Sequence, residues 1–223
     1  MRYRNEIKHI ITPADRAAVC ASLRTVADTD SHAGTDGTYR VRSLYFDNIY
    51  DKTLREKTDG LKDREKFRIR YYDEDLGFIR LEKKVKRGNV GYKVSAKLTE
   101  DEVRRIIAGD TRWMASCGRG LIMELYCRMQ TQLLRPKVIV DYRRAAFVYA
   151  PGNVRVTVDD DIRAGQAVEA FFDGSCVTLP VVGDTVLEVK WDEFLPNVIR
   201  SAVQLNGRRQ TAFSKYAACR IYG

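Results

Sequence analysis

The stretch KFRIRYY at 66–72 constrains the fold of this chain more than any other feature. Successive side chains of a strand point to opposite faces, so Phe67, Ile69 and Tyr71 share one face. Lys66, Arg68, Arg70 and Tyr72 share the other. The same split recurs. FIRLEKK at 78–84 sets Arg80, Glu82 and Lys84 against Ile79 and Leu81, and YKVSAK sets Lys93, Ser95 and Lys97 against Tyr92, Val94 and Ala96. RVTVD sets Arg155, Thr157 and Asp159 against Val154, Val156 and Val158, and VLEVK sets Glu188 and Lys190 against Leu187 and Val189. Near the start, YRNEIKHI places Arg4, Glu6 and Lys8 opposite Tyr3, Asn5 and Ile7. RVRSLYF at 40–46 is mostly apolar with two arginines, and KVIVDYRRAAF is more continuously apolar, with Tyr142 and Arg144 on one face.

Seven or eight strands with few helices between them predict an antiparallel sheet rather than βαβ units. With strands this many and this long, closure into a barrel is a natural way to remove the edges. The helices are clearly punctuated. Thr12-Pro13 supplies an N-cap and a first-position proline for a helix over 13–26. Thr99 with Glu102 forms a capping box for a helix over 99–108. Further helices are expected over 119–133, before Pro136, over 192–205 with Pro196 in the first turns, and over 48–57. The turn-rich stretches at 28–38 and 172–185 read as loops. No linker, repeat or low-complexity tract marks a boundary, so one domain over 1–223 is expected.

The formal charge of +9, from 39 Lys+Arg against 30 Asp+Glu, points to a polyanionic partner: nucleic acid, anionic lipid or a phosphate-rich small molecule. No run approaches the roughly 18 apolar residues of a membrane span, and MRYRNEIKHII has no apolar signal core. Cys20, Cys117, Cys127, Cys176 and Cys219 form no CxxC pair, which fits free thiols and a cytoplasmic setting.

Solvated polar faces are the ordinary reading of such strands. Three features weigh against it here. The faces are dominated by Lys and Arg, which repel one another at i and i+2. Carboxylates (Glu6, Glu82, Asp159, Glu188) are set among them, as surface salt bridges or as ligands for a hard divalent cation beside phosphate. The opposite faces are apolar enough to lie under helices, which turns the cationic faces inward. A basic lumen must hold water and anions, and a chain of phosphates suits Arg and Lys well. Duplex nucleic acid needs a wide exposed basic surface, and single strands need stacking platforms. The 12 tyrosines and 8 phenylalanines mostly fall on apolar faces, so nucleic acid is not expected. There is no phosphate loop, dinucleotide fingerprint or nucleophile elbow. His9, on the apolar side of its strand, and His32, in a loop, are too few for a histidine-based metal site. Arg40, Arg42, Lys86 and Arg87 read as surface charge, and Glu82 as either a salt-bridge partner or a metal ligand.

Eight pieces in order then carry a resemblance: EIKHII, SLYFDN, KFRIRYY, LEKKVKR, DYRRAAF, VRVTVDD, VLEVKW and FSKY. Together they resemble the polyphosphate polymerase domain of the vacuolar transporter chaperone (VTC) complex, in the CYTH or triphosphate tunnel metalloenzyme superfamily. The resemblance implies an α+β, mainly antiparallel fold: an eight-stranded tunnel-like β-barrel with helices packed outside. It implies ATP, pyrophosphate, triphosphate and polyphosphate as ligands, with Mn2+ or Mg2+ as cofactor. By matching positions it implies Arg68, Arg70, Lys84, Arg144 and Lys215 as the catalytic clamp. Lys8, Lys93, Lys97, Tyr142, Arg155, Lys190 and Ser214 are implied as substrate-binding, and Glu188 as the metal ligand. Family relatives work with membrane partners; this chain has no span, so any such partner is separate and unidentified. Two departures stand out. The superfamily's ExExK is RNEIK here, with Arg4 at the first acidic position, which argues against a two-metal triphosphatase and for the synthetic branch. Ala212 stands where eukaryotic synthetic relatives carry a lysine, which keeps open a non-catalytic polyphosphate-binding module; a triphosphatase or polyphosphatase in the same tunnel is the other alternative, differing chiefly in whether water or a phosphate end is aligned for attack.

Overall fold

Alternation along the chain is realised as antiparallel ladders in a computed structural model that describes residues 4–88, 90–181, 185–205 and 207–223. Tyr3 of the first expected strand and positions 182–184 of the second expected loop lie outside these residues. The strands are β1 (Asn5–Ile11), β2 (Asp28–Thr29), β3 (Thr38–Asp47), β4 (Arg64–Tyr72), β5 (Ile79–Arg87), β6 (Val90–Leu98), β7 (Arg135–Tyr149), β8 (Val154–Gly165), β9 (Leu179–Pro180) and β10 (Thr185–Trp191). The helices are α1 (Pro13–Arg24), α2 (Lys52–Thr58), α3 (Glu100–Ile107), α4 (Gly120–Thr131), α5 (Asn197–Ala202) and α6 (Lys215–Tyr222). The class is α+β and mainly antiparallel, as expected.

The chain divides into two compact units: Met1–Arg40 with Tyr142–Ile162 and Pro180–Lys215, and Val41–Asp141 with Arg163–Leu179 and Tyr216–Gly223. In the first, strand order runs β1-β10-β8-β7, with β2 also on β7. Val156 and Val158 of β8 lie opposite Val189 and Leu187 of β10. They pack with Ala145 and Phe147 of β7, with Val19, Cys20 and Leu23 of α1, and with Ile199 of α5. This face is the apolar half of the alternation, and each fully buried Val, Leu or Phe contributes about 1.5–3 kcal/mol. The β7–β8 turn is held close to the following chain. Gly152 has φ +73°, and a Cβ there would collide with the Phe194 carbonyl oxygen.

In the second unit, β3, β4, β5 and β6 pair in that order. Leu44, Phe46, Phe67, Ile69, Tyr71, Ile79 and Leu81 pack against Val103 and Ile106 of α3 and Ile122, Leu125 and Met129 of α4. Arg42 lies on this apolar side, which corrects its reading as surface charge. It is 2% exposed. Its guanidinium donates to both Asp141 oxygens, at 2.8–3.1 Å, and to the carbonyls of Phe171 (3.2 Å) and Asp173 (2.6 Å). Burial works against the charge, but Asp141 outweighs it and raises the guanidinium's pKa. The buried arginine is thus a structural ion, kept by its pairing.

Helix boundaries follow the caps. Thr12 accepts from the Asp15 N–H (3.2 Å) while Asp15 accepts from the Thr12 N–H (2.9 Å), and Thr99 and Glu102 do the same for α3. The expected helix over 48–57 begins later, at Lys52. Asn48 accepts from the Tyr50 and Lys52 N–H groups, and Asp47 from those of Thr53 and Leu54, so these residues form a turn first. The expected helix over 192–205 is only α5. Pro196 is its extended N-cap (ψ 142°), and a residue before proline disfavours helix, which stops it from reaching back. Helix α6 was not anticipated. Its Tyr216 hydroxyl donates to buried Asp47, which fastens it to the end of SLYFDN. All five cysteines are free thiols.

Candidate functional site

The polar half of the second unit is a grid set by register. Ser43, Arg70, Arg80 and Lys97 stand in one cross-strand row; Tyr45, Arg68, Glu82 and Ser95 in the next; Lys66, Lys84 and Lys93 in a third. Adjacent strands lie about 4.8 Å apart, so each row brings like charges into contact range. Glu82 is the anion among them, and it is 1% exposed. Its Oε2 accepts from Arg68 Nη2 (2.7 Å) and Nε (2.9 Å). Its Oε1 takes Arg70 Nη2 (2.9 Å) and Lys93 Nζ (2.9 Å). Burial works against the ionised carboxylate, but Arg68, Arg70 and Lys93 overcome it and hold the carboxyl far below its usual pKa. Glu82 is therefore a salt-bridge partner, to two arginines as well as a lysine.

Aromatic rings steady these arginines. Arg68 donates to the Tyr45 hydroxyl (3.0 Å), and Arg70 lies 5.0 Å from the Tyr72 ring centre. Arg80 lies 4.6 Å from that of Phe78, and Tyr72 and Phe78 stack at 5.4 Å. This stacked pair departs from the expectation that aromatics serve the apolar faces. It sits at the β4–β5 hairpin on the cationic side, and each ring carries an arginine.

The first unit holds the other expected residues in a more nearly balanced arrangement. Lys8 stands opposite Glu188, which stands opposite Thr157; Glu6, Lys190 and Arg155 form the next row. Lys8 Nζ lies 2.8 Å from Glu6 and 3.7 Å from Glu188, and Lys190 Nζ lies 2.5 Å from Glu188 and 3.5 Å from Glu6. Burial opposes the Lys8 charge, but Glu188 and Glu6 prevail and raise its pKa. Nearby on the sheet, Asp159 is fully buried and takes Arg144 Nε (2.6 Å) and Lys215 Nζ (2.6 Å). The Tyr142 ring lies 5.2 Å from the Arg144 guanidinium and 4.8 Å from Lys215 Nζ. Arg155 pairs with Asp30 and donates to the Tyr39 hydroxyl (3.1 Å). Ser214 directly precedes α6.

Tyr142, Arg144 and Lys215 thus form one cluster, and Lys8, Lys190 and Glu188 another. Arg68, Arg70 and Lys93 form a third, with Lys84 and Lys97 in the flanking rows. Sequence reasoning missed Asp30, Tyr39, Tyr45 and Thr157 as neighbours of these groups. Tyr39, Tyr45 and Thr157 are placed by alternation along β3 and β8; Asp30 carries no comparable signal.

A hard divalent cation needs oxygen donors. Among the described residues, no three or more His, Cys, Asp or Glu come together to hold one. Glu188 supplies one carboxylate, and across from it the buried Thr157 hydroxyl has no hydrogen-bond partner. One carboxylate and one hydroxyl leave most of a hard cation's shell to oxygens from elsewhere, such as phosphate, and Lys8 and Lys190 oppose a cation without them.

Acid should loosen both clusters. The lowered pKa values of Glu82 and Asp159 arise against burial, from Arg68, Arg70 and Lys93 and from Arg144 and Lys215 respectively. A depressed folded-state pKa contributes stability that is complete above the unfolded value and lost as pH falls below it. Urea midpoints should therefore be level around neutrality and fall progressively below about pH 4.5, the ordinary glutamate value. A midpoint flat from pH 6 to pH 3 would refute the assigned pairing.

The model of the VTC domain family matches residues 3–221. Curated proteins yield no match. Among solved structures, a candidate adenylate cyclase of Bacillus halodurans is similar with a TM-score of 0.51 and 12% identity, covering 85% of this chain and 80% of that one. A protein of Pyrococcus horikoshii gives a TM-score of 0.44 and 13% identity over 90% of this chain and 84% of its own. At such identity the first likeness shows a shared fold, and the second carries no argument. Among the described residues no helix is long and apolar enough to cross a membrane.

Proposed function

Because the chain belongs to the VTC-domain family, we propose that it is an ATP-dependent polyphosphate polymerase. The observation that carries this reading is the cationic grid of β4, β5 and β6, where Arg68, Arg70, Lys84, Lys93 and Lys97 share one face around a single saturated carboxylate. Such a face suits a polymer with a charge on every repeat.

In the proposed reaction a terminal oxygen of polyphosphate, or of a pyrophosphate primer, attacks the γ-phosphorus of ATP. The new P–O bond forms as the bond from the γ-phosphorus to the β–γ bridging oxygen breaks, and ADP leaves with that electron pair. A terminal phosphate is largely deprotonated at neutral pH, so no protein base is required. The work left to the protein is alignment and charge stabilisation. Arg68, Arg70 and Lys84 grip phosphate oxygens in the second unit; Arg144 and Lys215, steadied by Tyr142, do so in the first. Lys8, Lys93, Lys97, Arg155, Lys190 and Ser214 bind the remaining phosphates. Mn2+ or Mg2+, held by Glu188 with Thr157 adjacent, would supply Lewis-acid neutralisation of the phosphate oxygens. Triphosphate is a short ligand of the same kind, and a cytoplasmic ATP supply is assumed.

A second reading, a polyphosphate-binding module without turnover, is favoured by Ala212 and by the pairing of Glu188 with two lysines. A triphosphatase is the third. Incubating the purified protein with ATP and Mn2+ separates them. Long-chain polyphosphate with matching ADP is the expected result. Phosphate released from triphosphate without chain growth would replace the polymerase by a hydrolase, and binding without turnover would leave the module.

A further inference from the structure

Glu82 is unusual for a salt-bridge partner. Its two oxygens meet four nitrogens: two of Arg68 and one of Lys93 in hydrogen bonds, and Arg70 Nη2 in an ion pair at 2.9 Å. Four is about the acceptor capacity of a carboxylate. Three cations on one anion leave the cluster net positive, and Lys66 and Lys84 in one flanking row and Arg80 and Lys97 in the other add further positive charge. Glu82 therefore does not neutralise the face. It fixes where the cationic heads point.

We infer that Glu82 is a positioning residue, a built-in anion that holds Arg68, Arg70 and Lys93 in place until a phosphate group takes over their donors. The inference rests on the phosphate-binding part of the proposed function. The long side chains of arginine and lysine lose much rotamer freedom on binding an anion, and here that loss has already occurred on folding. Arg68 is held by Tyr45 and Arg70 by the Tyr72 ring, so both keep their heading when Glu82 is exchanged for phosphate. The same carboxylate also repels the phosphate it makes room for. Its charge weakens the grip, which suits a face along which a polymer must advance rather than stick. A purely structural ion pair has no such effect: its loss lowers stability and leaves phosphate affinity unchanged or weaker.

The test is calorimetric binding of tripolyphosphate to the full chain at low salt, with thermal melting alongside. Glu82→Gln keeps shape and some hydrogen bonding but removes the charge. It should bind tripolyphosphate about tenfold tighter, with slower turnover in ATP-dependent elongation. Glu82→Asp keeps the charge and should stay within about threefold of wild type in affinity. Unchanged or weaker binding by a folded Glu82→Gln protein overturns the inference. Should that variant not fold, the wild-type protein decides by the 15N resonances of the Arg68 and Arg70 side chains. These should shift on saturation with tripolyphosphate; resonances that stay put while tripolyphosphate binds overturn the inference equally. Wild-type protein that fails to bind tripolyphosphate overturns this inference and the phosphate-binding reading together. Binding without chain growth overturns the polymerase alone and leaves Glu82's role to the affinity change.

Discussion

Arg70→Ala is expected to reduce ATP-dependent polyphosphate synthesis by roughly 100- to 1,000-fold, the usual loss when one preorganised charge donor is removed from a phosphoryl- or acyl-transfer site. Arg70 lies in the row between Ser43 and Arg80, with one end on Glu82 at 2.9 Å and its guanidinium over Tyr72. A planar fork held in this way presents its remaining N–H groups in a fixed direction. Alanine removes both the charge and the direction, whereas Arg70→Lys keeps the charge alone and should recover only part of the loss. Stability should change little. The variant takes away one of two arginines facing each other across β4 and β5, and Glu82 keeps Arg68 and Lys93. Following radiolabelled γ-phosphate into polymer, with melting curves in parallel, checks both statements. Synthesis at the wild-type rate in a folded Arg70→Ala protein would remove Arg70 from the proposed clamp.

The largest stability effect is expected on the apolar side of the same unit, at Arg42 of β3. Arg42→Met takes the guanidinium away from buried Asp141 and strips a donor from the carbonyls of Phe171 and Asp173. Breaking a buried pair from one side costs about 3–5 kcal/mol, a large share of what usually holds a domain folded. For a chain of this size the melting temperature should fall on the order of 10 °C. The double replacement Arg42→Met with Asp141→Leu should recover most of that, because both members of the buried pair are replaced by apolar groups. Urea denaturation of the two single variants and the double completes a cycle. Three variants as stable as wild type would mean that the pair carries no structural weight.

Arg42 and Glu82 show how much was legible beforehand. Alternation alone puts Arg42 in phase with Leu44 and Phe46, on the apolar side, a local signal that outweighs its reading as surface charge. What was not available was Asp141, 99 residues away, without which a buried arginine is implausible. Glu82 was correctly in phase with the cations, but its role was open between salt bridge and metal ligand. The register of β4 against β5 and of β5 against β6 brings Arg68, Arg70 and Lys93 onto it, and nothing local encodes which of several lysines and arginines it meets. Helix ends behaved likewise. The capping boxes at Thr12 and Thr99 were visible because a cap is a four-residue interaction. The late start of α2 and the existence of α6 depend on Asp47, whose partners lie up to 169 residues away.

Which residues share a face, where the capped helices begin, and the basic character of the polar faces can all be read along the chain. These follow from local geometry: two residues per strand repeat and a hydrogen bond three residues long. The family is legible as well, since its short motifs keep their order along the chain. Which charges meet depends on the folded register. An ion pair is worth little until register and burial set its distance and remove the water around it. That is why the three cations on Glu82, the two on Asp159 and the buried Arg42–Asp141 pair appear in the fold and not in the string of residues.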